Sequence, residues 1–107
     1  MSRPVYSTRF IAGFAPSVSG AYTVPAGFVA IVRDIDAWHE AGGSGSDYLY
    51  ASVVSLGGAF FYETFAASQW ISWRGRQVIN PGEELVVQGN STVNQSVMVS
   101  GYLLTLP

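Results

Sequence analysis

Apolar residues fall in short runs along this chain, and no stretch repeats them at helical spacing. The runs are rich in valine, isoleucine and aromatic residues, and glycine or proline separates them. This pattern is typical of strands joined by turns, so the chain is expected to be all-β. We predict strands over residues 5–14, 28–38, 48–56, 59–65, 69–73, 76–79, 84–88 and 96–106.

Three glycine-containing signals predict the turns. Pro25-Ala26-Gly27 and Asn80-Pro81-Gly82 favour chain reversals just before a strand, whereas Gly57-Gly58 has the spacing of a two-residue hairpin turn. Residues 16–20 are predicted as a turn cluster, and residues 41–46 as a flexible loop.

The number of strands predicts the architecture. About eight strands without a linker indicate a single-domain antiparallel β-sandwich or jelly roll with an extended N-terminal arm. We expect residues 1–15 to form the arm or a first strand and residues 16–107 to form the jelly-roll domain.

Composition excludes several classes of function. Charged residues are 11% of the 107 positions, less than half the roughly 25% of an ordinary domain. The chain has five arginines and no lysine, so no basic stripe for nucleic acid is expected. It has no cysteine, and it has no run of about 20 apolar residues for a membrane helix. The apolar run at 10–15 is too short for a secretory leader.

Two predicted strands are apolar on both faces, residues 96–106 and 59–65. One sheet of a sandwich covers only one face of a strand, so these strands require a second cover. Loops, the N-terminal arm or a neighbouring subunit would supply it. If it is a subunit, the interface is expected at Phe61, Phe65, Met98, Tyr102 and Leu104.

Candidate chemistry is sparse. His39 is the only histidine, so neither a zinc site nor a multi-histidine cupin site is expected, and no cofactor is implied. Asp34 and Asp36 share one face of a strand. They suit either a calcium or glycosidase pair or, far more commonly, a solvated face or ion pairs with nearby arginines. We expect the protein not to be an enzyme.

Two segments are candidates for partner contacts. Trp70, Trp73, Arg74 and Arg76 combine residue types used in sugar platforms and protein hot spots, although one core tryptophan and a stacked arginine would also explain them. The N-terminal arm is expected to dock on a partner, and residues 2–10 to be removable without unfolding the domain. Its contact residues would be Arg3, Tyr6, Arg9 and Phe10.

Three groups of residues carry a resemblance to a known family. They are Val24-Pro25-Ala26-Gly27 before Ile31-Val32-Arg33-Asp34-Ile35, then Trp73-Arg74-Gly75-Arg76-Gln77-Val78 with Asn80-Pro81-Gly82-Glu83, and Val97-Met98-Val99-Ser100-Gly101-Tyr102-Leu103-Leu104. Over residues 20–106 the chain resembles small virion proteins of tailed bacteriophages of actinobacteria. Residues 100–104 are also similar to the last strand of trimeric complement-type and tumour-necrosis-factor-like jelly rolls, which lies near the three-fold axis.

The resemblance implies a non-enzymatic jelly-roll protein of the virion. We expect a capsid decoration protein that binds the outer capsid surface as a homotrimer, with the major capsid protein as partner. The alternative is a minor tail or receptor-recognition protein that binds host cell-wall carbohydrate through Trp70, Trp73, Tyr48 and Tyr50.

Overall fold

A computed structural model describes residues 5–40, 47–65 and 68–106. Within these residues the chain forms eight strands and one short 3₁₀ turn at Val54–Leu56, so the predicted all-β fold is confirmed. The strands are β1 (Val5–Pro16), β2 (Ser19–Thr23), β3 (Phe28–His39), β4 (Asp47–Val53), β5 (Gly58–Phe65), β6 (Gln69–Ile79), β7 (Glu84–Asn90) and β8 (Asn94–Thr105).

The strands form two antiparallel sheets of four. Sheet A has the order β1-β8-β3-β6, and sheet B has the order β2-β7-β4-β5. The chain therefore passes from one sheet to the other at every connection except the β4–β5 hairpin. This order is that of an eight-stranded jelly roll, in which the two sheets cover each other's inner faces. The segment predicted as an arm or a first strand is, from Val5 to Pro16, the outer strand of sheet A.

The core lies between the sheets and follows strand alternation. Each central strand buries every second side chain, with sheet A contributing Ala30, Val32, Ile35, Ala37, Val97 and Val99, and sheet B contributing Leu49, Ala51, Val53, Leu85 and Val87. Because the inward side chains fill the space between the sheets, the alternate residues of the same strands form the two outer faces.

Three predicted elements differ from the structure. The predicted turn cluster at 16–20 instead leads into β2, an edge strand of small residues whose pattern is weak. The two strands predicted within 69–79 are one strand, β6. The two-residue turn at Gly57-Gly58 is wrong, because β4 ends at Val53 and a 3₁₀ turn intervenes before Gly57 takes a left-handed conformation, with φ of 74°.

The two Pro-Gly turns lie against each other at one end of the sandwich. The Val24 amide donates to the Glu83 carbonyl at 3.0 Å, and the Gly82 amide donates to the Val24 carbonyl at 2.9 Å. Gly27 and Gly82 have left-handed φ values of 86° and 81°, which glycine adopts without strain. These residues of the resemblance therefore have a structural role at a corner of the fold.

The Glu83 carboxylate closes the second turn. It accepts a hydrogen bond from the Asn80 amide at 2.7 Å and another from the Ser55 hydroxyl. The bond from Ser55, followed by the backbone bond from Asn80, lowers the pKa of Glu83 below its ordinary value.

A bulge in β3 between Val32 and Asp34 shifts its register with both neighbouring strands. Opposite the bulge, a Cβ added at Gly101 would overlap the carbonyl oxygen of Ile31. Glycine at this position therefore allows β8 and β3 to approach, and the bulge redirects the side chain of Arg33.

Candidate functional site

The outer face of sheet A carries aromatic side chains across its whole width. Phe14 pairs with Ser96, Ser96 with Trp38, and Trp38 with Trp70, so one row crosses all four strands. Phe14 is 62% exposed and Trp70 is 75% exposed, and the rings of Trp38 and Trp70 lie 6.0 Å apart. Met98 is exposed in the next row. Exposed apolar patches on a protein surface are typical of interaction sites.

A shallow groove of about 540 Å³ lies on the same face, beside the β3 bulge. Its lining includes Arg9, Arg33 and Asp34, together with hydroxyl groups and the exposed Met98. Asp34 is paired with Arg74, so Arg9 and Arg33 give the groove its net positive charge. The Arg33 guanidinium donates to the Tyr102 hydroxyl at 2.8 Å and lies 5.9 Å from the centre of that ring. The groove therefore presents hydrogen-bond donors and positive charge next to the aromatic row.

Asp34 and Asp36 do share one face, as predicted, and both are paired with Arg74. The Arg74 Nε atom lies 3.2 Å from Asp34, and its NH2 atom lies 2.9 Å from Asp36. The hydrogen bond to Asp36 and the two nearby carboxylates raise the pKa of the Arg74 guanidinium. This ion-pair network accounts for the two carboxylates without a metal ion or a glycosidic substrate.

Three of the five residues predicted at a subunit interface lie on the outer face of sheet A. Met98 is exposed there, and Tyr102 and Leu104 follow it at alternate positions of β8. Phe61 and Phe65, in contrast, are core residues, because alternation in β5 turns both rings between the sheets. They are only 7% and 1% exposed, which leaves little surface for a neighbouring subunit, and we correct that assignment.

The predicted arm residues also divide into exposed and buried positions. Arg9 is exposed and lines the groove, whereas Phe10 is buried and packs against Tyr22 at 5.0 Å between ring centroids. Arg3 and the side chain of Tyr6 lie outside the described residues. Because β1 pairs with β8 and Phe10 belongs to the core, deleting residues 2–10 would remove part of the sandwich, so that expectation is wrong.

The predicted Trp70–Arg76 segment lies on β6. Trp73 faces the interior, where it meets Phe60 edge-on at 5.4 Å, whereas Trp70 and Arg74 face outward and Arg76 is exposed. Trp70 and Trp73 therefore do not form one sugar platform. The aromatic neighbour of Trp70 is Trp38 instead, whose outward orientation follows from its position between buried Ala37 and buried His39.

His39 belongs to a buried polar cluster at the end of the sandwich opposite the Pro-Gly turns. Its Nε2 atom lies 2.9 Å from Asp47 Oδ2 and 3.2 Å from Ser91 Oγ. The Ser91 hydroxyl donates to the same Asp47 oxygen at 2.9 Å. The imidazole ring stacks on Phe65 with 4.8 Å between centroids. The cluster joins β3 of sheet A to β4 and the chain after β7 of sheet B.

The cluster has the residue types of a hydrolytic triad but not its geometry. In a triad the serine and the carboxylate contact different ring nitrogens, and the serine gives its proton to the imidazole. Here both contact Nε2, and the Ser91 hydroxyl donates directly to Asp47. All three residues are buried. The arrangement therefore links the two sheets, and its contacts differ from those by which a triad activates its serine.

Two further searches for a site are negative. Among residues 5–40, 47–65 and 68–106, no group of three or more histidine or acidic side chains is placed to hold a metal ion. No helix in the described part of the chain is long and apolar enough to cross a membrane.

Comparison with known proteins identifies no relative. No protein-family model matches the chain, and no curated protein matches it with significant similarity. The outer face of sheet A is therefore the feature from which a function is inferred.

Proposed function

We propose that the protein is a non-enzymatic structural protein of a bacteriophage virion, which decorates the outer capsid surface and docks there through the outer face of sheet A. The observation that carries the proposal is the row of Phe14, Trp38 and Trp70, with Met98 beside it. Large aromatic side chains exposed together supply most of the binding energy of a protein interface once they are buried.

Charge narrows the chemistry of the partner. The four arginines of the described strands, Arg9, Arg33, Arg74 and Arg76, all lie in sheet A, and the strands of sheet B contain none. Arg74 is neutralised within the face, but Arg9 and Arg33 line the open groove. The partner surface that fits this face is apolar with a carboxylate directed at the groove, as on an acidic segment of a capsid protein.

The proposal that the protein belongs to a virion rests on the resemblance of residues 20–106 to small virion proteins of tailed bacteriophages. We further propose that it assembles as a homotrimer. Three copies at a local three-fold position of a shell would multiply a weak contact through effective concentration. Light scattering by the purified protein is expected to give three times the 11.5 kDa mass of the chain. A monomer in solution would remove the trimer from the proposal.

Docking is tested with purified particles of the phage that encodes the chain. Mass spectrometry should detect the protein in many copies per particle, and its absence from the particles would overturn the proposal. The variant Trp70→Ala should rebind to depleted particles at least about tenfold more weakly, because an exposed tryptophan that becomes buried in an interface contributes at hot-spot level. Tyr62→Ala is the matched control, since Tyr62 is also an exposed aromatic residue but lies on sheet B. Equal rebinding by the two variants would contradict docking through sheet A.

A further inference from the structure

The outer face of sheet B carries a cluster of three tyrosines, Tyr48, Tyr50 and Tyr62. Tyr50 lies directly opposite Tyr62 on the neighbouring strand, and Tyr48 precedes Tyr50 on the same face. The ring centroids are 5.9 to 6.4 Å apart, and the ring planes are within 14° to 22° of parallel. Tyr62 is 57% exposed. The three rings therefore form one cluster with near-parallel planes, and at least Tyr62 is open to a ligand.

The residues beside this tyrosine cluster are polar and uncharged. Along the cross-strand pairs, Ser19 and Gln88 continue the row of Tyr50, whereas Asn90 and Thr64 flank Tyr48. The Tyr50 hydroxyl donates to Gln88 Oε1 at 3.0 Å, so the amide NH₂ of Gln88 remains available as a donor. The cluster thus combines π faces with hydroxyl and amide groups.

The charges of sheet B exclude anionic ligands. None of its strands contains an arginine or a lysine, and their acidic residues are Asp47, Glu63 and Glu84. A phosphate, a sulfated glycan or a nucleic acid would find no cation here and would be repelled. A purely apolar partner would leave the hydroxyl and amide groups desolvated without hydrogen bonds. The ligand that fits is therefore uncharged and polar, with apolar C–H faces.

We propose that the tyrosine cluster binds an uncharged oligosaccharide. The C–H faces of hexose rings pack on the tyrosine rings, whose faces carry partial negative charge, and the sugar hydroxyls exchange hydrogen bonds with Gln88, Asn90 and the tyrosine hydroxyls. Because sheets A and B present opposite outer faces, this binding is independent of docking through sheet A.

The experiment is a printed array of neutral glucan, mannan and galactan oligosaccharides beside sialylated and sulfated glycans. The full-length protein should bind neutral oligosaccharides and leave the charged glycans unbound. The best neutral oligosaccharide is then titrated calorimetrically against the variants. Tyr62→Ala should weaken binding by about tenfold, and Tyr50→Phe, which keeps the ring but removes the hydroxyl bonded to Gln88, should weaken it less.

The control variant is Trp70→Ala, which removes the most exposed aromatic side chain of the opposite face. It should bind the oligosaccharide like the parent protein, and urea unfolding should verify that all variants are folded. Binding only to charged glycans, no binding to any neutral glycan, or equal losses in Tyr62→Ala and Trp70→Ala would each overturn the proposal. Failure of docking to particles leaves these outcomes unchanged, so the two proposals fail separately.

Discussion

The buried cluster of His39, Asp47 and Ser91 is expected to contribute more to the free energy of unfolding than the exposed ion pairs do. Replacing Asp47 with alanine removes the oxygen that accepts hydrogen bonds from both His39 Nε2 and the Ser91 hydroxyl. Both donors stay buried, because His39 has no exposed surface and Ser91 is 7% exposed. Leaving a buried donor without its acceptor costs about 1 to 3 kcal/mol, so the two donors together are expected to cost about 2 to 6 kcal/mol.

The size of this loss can be compared with the stability of the whole domain. A domain of this length has an unfolding free energy of about 5 to 15 kcal/mol, so Asp47→Ala is expected to remove a large fraction of it. The melting temperature should fall by at least about 8 °C, since each kcal/mol corresponds to about 4 °C or more in a small domain. Equilibrium unfolding in urea, followed by tryptophan fluorescence, measures the change in free energy.

Asp36→Ala is the matched control for Asp47→Ala. Asp36 also accepts two side-chain hydrogen bonds, from Arg74 and Ser72, but its side chain is 43% exposed. The expected loss is therefore at most about 1 kcal/mol. The double variant His39→Leu/Asp47→Ala should recover part of the loss, since no imidazole then remains buried without its partner. Equal, small effects of Asp36→Ala and Asp47→Ala would refute a stabilising role for the cluster.

Four further variants test the packing and the turn. Phe65→Ala should cost about 3 to 5 kcal/mol in urea unfolding without changing the solution mass, and a changed mass at unchanged stability would restore Phe65 to an interface. Gly101→Ala should lower the free energy of unfolding by about 1 to 3 kcal/mol, because it forces a Cβ against the backbone of β3. Gly58→Ala is the control, because Gly58 has open space around it, and the change should stay within about 0.5 kcal/mol. Equal effects of the two variants would contradict the close approach of β8 to β3 at Gly101. Because the folded pKa of Glu83 is lowered, its contribution is present above the ordinary value and lost as pH falls through the folded value. The stability difference between the parent protein and Glu83→Gln should therefore shrink below about pH 4.5, and a difference that is constant from pH 7 to pH 3 would refute this.

The fold was predictable because strand periodicity and turn chemistry are local properties. The runs that became β3 and β8 were assigned within a few residues, and the turns at Gly27 and Gly82 were assigned from residues that tolerate left-handed φ. β2 was missed because its only large apolar residue is Tyr22, and its hydrogen bonds to β7 are made with residues far along the chain. The local pattern carries no information on such long-range pairing.

The polar cluster was missed for a related reason. From the sequence, His39 was considered as a lone metal ligand, although His39 has the same parity along β3 as buried Ile35 and Ala37. That parity was a readable signal that His39 faces the core. The sequence does not identify the partner of His39. His39 lies on β3 in sheet A and Asp47 begins β4 in sheet B, so the two residues meet only when the sheets pack together.

The two outer faces of the sandwich explain how a chain with so few charges would function in an assembly. Sheet A combines exposed Phe14 and Trp70 with the described arginines, whereas sheet B combines its tyrosine cluster with uncharged polar groups. Because the faces differ in chemistry, one ligand would not fit both. A subunit anchored through sheet A would direct sheet B away from the anchoring surface, and many copies on one particle would convert weak individual glycan contacts into firm attachment. Particles carrying Tyr62→Ala should therefore keep the protein and lose adhesion to an immobilised neutral glycan, whereas particles mixed with Trp70→Ala should lose both.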